Sequence, residues 1–155
     1  MKFLIMLASL GMAVLAFISM ATIGPAPFDY EAATMEERQA WMDEQAKPFK
    51  TSARFFLPSG RGPSELNFRL NEIVSDPASR QMKFNIEVKV PYGARASMSG
   101  HDQVMAKICK SYVRTALHEE AIRLTFDFHA EKQGTLSKLV LTPSRCETVL
   151  GSENA

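Results

Sequence analysis

The sequence predicts an α+β domain: an antiparallel sheet of two hairpins, with a central helix packed on one face, preceded by an N-terminal transmembrane or signal helix. Three observations carry this. Two stretches alternate apolar and polar residues, each pair of strands divided by a turn signal, and between them lies a helical stripe of apolar pairs. Ahead of both, the chain opens with a run that has no charge at all.

That run extends from Phe3 to Gly24, 22 residues with only Lys2 before it and Asp29, Glu31, Glu36 and Glu37 soon after it. About 20 apolar residues cross the ~30 Å of bilayer hydrocarbon, so the run is long enough to be an uncleaved anchor. It also has the basic start and apolar middle of a cleaved signal peptide, with Ser19-Met20-Ala21 before a cut. The length favours the anchor. Either way the remainder lies outside the cytoplasm, since the base stays in and the acids follow the span. The domain division that results is 1–24 as signal peptide or anchor, 25–33 as linker, 34–150 as the folded domain and 151–155 as a C-terminal tail.

The whole chain has 155 residues, 46% apolar and 23% charged, an ordinary globular balance. Setting aside residues 1–24 removes one base and leaves 17 Lys and Arg against 17 Asp and Glu. A neutral domain offers no footprint for nucleic acid, which requires clustered positive charge. About 125 residues suffice for one modest core.

Within the domain, Thr34 and Glu37 have capping-box spacing and open a helix to about Ala46, ending before Pro48. Its apolar residues Met35, Trp41 and Met42 make a poor stripe. A short strand near 51–57 precedes the Gly- and Pro-rich loop "PSGRGPS". Leu66, Phe68 and Leu70, then Met82, Phe84, Ile86, Val88 and Val90, alternate with polar residues across an Asp76-Pro77 turn, the first hairpin. Ser99 and Asp102 repeat the capping spacing, and Val104, Met105, Ile108, Cys109, Tyr112, Val113, Ala116 and Leu117 form one helical stripe. The second hairpin pairs Ile122, Leu124, Phe126 and Phe128 with a return strand over 136–142, across a turn where Gly134 suits a left-handed backbone. Leu139, Val140 and Leu141 are consecutive, which predicts a central strand covered on both faces.

Two cysteines, Cys109 and Cys146, stand 37 residues apart. That excludes a Cys-x-x-Cys redox site. With His101, His118 and His129 scattered, no zinc ligand set forms, and no cofactor is implied. An even count in an oxidising compartment points to a structural disulfide.

Other chemistry is sparse. Arg123, Asp127 and His129 share the polar face of one strand and are the candidate acid–base site, against the plain reading of a solvated sheet face. Lys107, Lys110 and Arg114 form a basic strip that could meet anionic headgroups or an acidic partner, against the plain reading of a helix's water side. The Gly-x-Ser-x-Gly elbow is absent, "PSGRGPS" lacks the Lys-Ser/Thr of a phosphate loop, and Met98 with His101 falls short of a copper site. The sequence therefore favours a non-catalytic envelope-associated binding or assembly module. Its partners would be the membrane, through residues 3–24 if they are uncleaved, and another envelope protein. The alternative is a small hydrolase or ligand-binding domain using the Arg123/Asp127/His129 face, its ligand unspecified.

Overall fold

The computed structural model describes residues 28–56, 67–89, 102–131 and 134–153. The uncharged run 3–24 and the Ser99 cap lie outside these residues. The elements are α1 (Met35–Phe56), β1 (Asn67–Asp76), β2 (Gln81–Lys89), α2 (Asp102–Tyr112), α3 (Ala116–Glu119), β3 (Arg123–Ala130), β4 (Gly134–Leu141) and α4 (Pro143–Glu153). The α+β class of the sequence reading holds.

The sheet has the order β1-β2-β3-β4, and it is mixed, not antiparallel. Each hairpin is antiparallel, as expected, but the two join through β2 and β3, which run parallel. The reason is the connection. A short turn can only reverse a strand, whereas the stretch from Lys89 to Arg123 contains α2 and α3 and returns the chain to the end of the sheet where β2 began. Gln81 is therefore level with Arg123, and Glu87 with His129.

Alternation decides which face is buried. Met82, Phe84, Ile86 and Val88 point to the core, joined by Leu124, Phe126 and Phe128 from β3. Phe84 stacks on Phe126 at 4.6 Å between ring centroids, and Phe49 from α1 meets Phe84 edge-on. Each such phenyl group contributes about 1.5–3 kcal/mol by burial. In β1 a bulge at Asn71 shifts the register between Leu70 and Glu72, so the core face passes from Phe68 and Leu70 to Ile73, opposite Phe84. The helices contribute Trp41, Met42, Phe49, Met105, Ile108, Tyr112, Leu117 and Cys146 to the same cluster. The described helices thus cover one face of the sheet, and the other carries the polar residues.

Several expectations need correction. α1 does not stop before Pro48 but runs through it to Phe56, so the strand expected near 51–57 is helical where it is described. Proline in a helix interior costs about 3 kcal/mol. Here Pro48 lies on the exposed side, while Trp41, Met42, Ala46 and Phe49 bury a proper stripe that continues past it. The capping box itself forms: the Thr34 amide donates to Glu37 at 2.7 Å and the Glu37 amide to Thr34 Oγ1 at 3.2 Å.

Met105, Ile108, Cys109, Tyr112 and Leu117 of the long helical stripe are buried and Val113 and Ala116 half-buried, but two helices carry the stripe. Thr115 breaks it: its backbone is extended, its hydroxyl donates to the Tyr112 carbonyl at 2.7 Å, and its oxygen accepts from the His118 amide at 3.2 Å. A buried threonine satisfied in this way caps a new helix instead of continuing the old one.

Among the described strands β4 lies at the edge of the sheet, not at its centre. Leu139 and Leu141 face the core, and Val140, level with Thr125, is half-buried on the opposite face. The central strands are β2 and β3. Gly134 does take the left-handed conformation, at φ 69°. Finally, the presumed linker 25–33 is not a free linker where it is described, since Tyr30 is fully buried. Nor is 151–155 wholly a tail, because α4 continues to Glu153.

Candidate functional site

β3 positions Arg123, Asp127 and His129 on the polar face, as period two requires. Their spacing along the strand decides what they can do together. Asp127 and His129 are about 7 Å apart by strand rise, and Arg123 lies about 13 Å from Asp127. Arg123 is exposed, and the other two are half-buried.

Neighbouring strands fill the space between them. Lys83 Nζ sits 3.5 Å from Asp127 Oδ2, and Lys138 is level with Asp127 on β4. Gln81 Nε2 donates to Thr125 Oγ1 at 3.1 Å, in the row between Arg123 and Asp127. Asn85 Nδ2 donates to Glu72 at 3.3 Å. Glu87, level with His129, accepts from Arg69 and, at 3.5 Å, from Asn71. The Arg69 hydrogen bond holds the Glu87 carboxyl below its ordinary range. The face is a lattice of cross-strand pairs, in which Asp127 pairs with Lys83.

Sequence reading found the β3 residues but missed Lys83, Glu87 and Lys138. The signal was present: Lys83, Asn85, Glu87 and Lys89 alternate in β2, but only the parallel register sets them beside β3.

The basic strip lies elsewhere. Lys107 and Lys110 are exposed on α2, and Arg114 is exposed in the turn beyond its end. α2 covers the core face of the sheet, so the strip and the polar strand face belong to opposite sides of the domain. Among the described residues no group of three or more His, Cys, Asp or Glu gathers as a metal site.

Cys109 on α2 and Cys146 on α4 are joined, with Cα atoms 5.1 Å apart and both residues fully buried. Their position follows from the stripe of α2 and from α4 folding back over it after Pro143. A buried cystine beneath two helices does not titrate and has no access to a thiol substrate, so its role here is to tie α4 to the core. It fits an oxidising compartment.

A further cluster, which the sequence did not announce, surrounds Tyr30. Two guanidinium groups lie over its ring, Arg80 at 4.5 Å and Arg38 at 4.9 Å from the centroid. Its hydroxyl donates to the Pro77 carbonyl at 2.8 Å. Arg38 Nε donates to the Tyr30 carbonyl at 2.7 Å, and Arg80 donates to the Glu120 carbonyl at 2.9 Å and pairs with Glu31. Phe28 stacks on Trp41 at 5.0 Å. Burial raises the Tyr30 phenol above its ordinary pKa, outweighing the two arginines, which pull it down.

Against protein-family models, curated proteins and solved structures, the chain has no match. Among the described residues no helix is long and apolar enough to cross a membrane.

Proposed function

We propose that the chain is a non-catalytic, envelope-associated module on the extracytoplasmic side, which binds another envelope protein or supports an assembly. The observation that carries this reading is the pairing of the polar strand face. Asp127, the acid of the one candidate acid–base site, is held by Lys83 in a cross-strand lattice. A general base is set up by a hydrogen-bonded partner that orients it, and the partner beside Asp127 is the cross-strand Lys83, 3.5 Å from Oδ2. The uncharged run 3–24 and the buried cystine support the address. The described sheet ends on both sides in edge strands, β1 and β4, and β1 exposes Val74 at 43%. Such edges are where an extended partner segment adds to a sheet.

The test is a triple variant, Arg123→Ala, Asp127→Asn and His129→Ala, expressed with the intact N-terminus. The module reading expects the folded variant to keep both its set of membrane-captured partners and its cellular phenotype. A folded variant that loses its phenotype while retaining its partners would instead place a reaction or ligand on that face.

A further inference from the structure

The first residues after the uncharged run are bound to the body of the domain. Phe28 is stacked on Trp41, and Tyr30 is clamped by Arg38, Arg80 and Pro77. What remains between Gly24 and Phe28 is Pro25-Ala26-Pro27. Four Cα–Cα steps at full extension span at most about 14 Å. Two of the three residues are prolines, whose fixed φ removes much of the freedom of a flexible joint.

The clamp also has a definite place in the fold. Pro77 and Arg80 form the β1–β2 turn, and the Arg123 amide donates to the Arg80 carbonyl at 2.8 Å. β2 and β3 both start at this end of the sheet, and β4 finishes there. The opposite end carries Lys89, Glu131 and Gly134. From Gln81 to Lys89 the sheet extends about 26 Å, roughly twice the reach of the three-residue connection.

We infer that the domain is not held on a swinging stalk: it is docked with its β1–β2 turn against the lipid surface and its β3–β4 turn pointing away. The partner is the bilayer in which the chain's own uncharged run is embedded. This rests on the anchor reading of residues 3–24. It goes beyond that reading by fixing which end of the sheet meets the headgroups, and so which surfaces remain for an envelope partner. The β3–β4 turn and the far halves of both edge strands are then the most accessible parts of the domain.

The experiment uses the full chain reconstituted into phosphatidylcholine vesicles that carry a headgroup quencher. A single fluorophore is placed through Ala78→Cys on the β1–β2 turn or Glu131→Cys at the far end, both exposed positions. The native cysteines, bonded to each other, do not label. The expected result is loss of most fluorescence at 78 and retention of most at 131. A second protein carries twelve Gly and Ser residues inserted between Pro27 and Phe28. That insert adds an r.m.s. reach of about 20 Å, leaves the clamp intact, and is expected to abolish the difference. Equal quenching at both sites in the parent chain overturns the docked orientation while leaving the anchor standing. A difference that survives the insert overturns the short tether as its cause. A full chain that fails to float with the vesicles overturns the orientation together with the anchor.

Discussion

The hydroxyl of Tyr30 donates to the carbonyl of Pro77 at 2.8 Å, across 47 residues of sequence. One hydrogen bond thus links the first described segment to the tip of the first hairpin. Removing it with Tyr30→Phe keeps the ring under the Arg38 and Arg80 guanidinium groups, and is expected to cost about 1 kcal/mol, the net value of a typical hydrogen bond. Tyr30→Ala also leaves a hole in the core and is expected to cost about 3–5 kcal/mol, by analogy with other large aromatic truncations. Denaturant unfolding of both variants checks the ordering. Equal losses would mean that the ring contributes nothing beyond its hydroxyl.

Thr115 divides the apolar stripe of the central helices. Thr115→Ala removes the cap of α3 and the bond to the Tyr112 carbonyl, with an expected loss of about 1–2 kcal/mol. Thr115→Ser keeps the hydroxyl and should recover most of this. If alanine proves neutral, the break between α2 and α3 has another cause.

Ala121 follows α3 with φ 54°, in the left-handed region. Its amide donates to the His118 carbonyl at 2.9 Å and the Ile122 amide to the Leu117 carbonyl at 2.8 Å, the pattern that usually takes glycine. Alanine in this conformation is strained by about 1 kcal/mol. Ala121→Gly is therefore expected to raise the melting temperature, against the usual effect of introducing glycine.

Three carboxyl groups, Glu37, Asp76 and Glu87, have pKa values below their ordinary ones in the folded chain. The chief causes are, in turn, the Thr34 amide, the Ser79 hydroxyl and the Arg69 guanidinium. A depressed folded pKa gives stability that is fully present above the unfolded value and lost as pH falls through the folded one. Unfolded Glu and Asp titrate near about 4, so stability is expected to be flat at neutral pH and to fall below about pH 5. A Glu37→Gln, Asp76→Asn, Glu87→Gln variant should show a shallower acid limb. An unchanged limb would assign acid sensitivity to other groups.

Much of the sheet is legible because period two leaves little freedom: Met82 to Val88 alternate residue by residue, and Leu124, Phe126 and Phe128 are buried as their alternation requires, although Thr125 on the opposite face is buried as well. What could not be read was non-local. The pairing of β2 with β3 depends on where a 33-residue connection returns, and neither strand encodes its neighbour. Three consecutive apolar residues in β4 resembled a central strand, but Leu139 and Leu141 serve the core and Val140 packs at the margin of the polar face. At Pro48 the burial of Trp41, Met42, Ala46 and Phe49 outweighs the cost of a proline inside the helix. For the site, period two sets Arg123, Asp127 and His129 on one strand face, yet Lys83, paired with Asp127, and Glu87, level with His129, come from a strand whose register only the fold supplies.

The cystine joins the address of the protein to its stability. Closing a 37-residue loop contributes roughly 4 kcal/mol on the chain-entropy account, a large share of the ~5–15 kcal/mol of a whole domain. Cys109→Ser with Cys146→Ser is expected to lower the melting temperature strongly without altering partner capture at permissive temperature.

The central claim is that this domain works in an oxidising compartment outside the cytoplasm, and its most direct measurement is thiol trapping in intact cells. A membrane-permeant alkylating reagent is added before lysis, and the isolated protein is analysed by mass spectrometry both directly and after reduction followed by a second alkylation. The account predicts no alkylated cysteine before reduction and two, Cys109 and Cys146, after it. Two alkylated cysteines in the unreduced protein would contradict both the staple and the address.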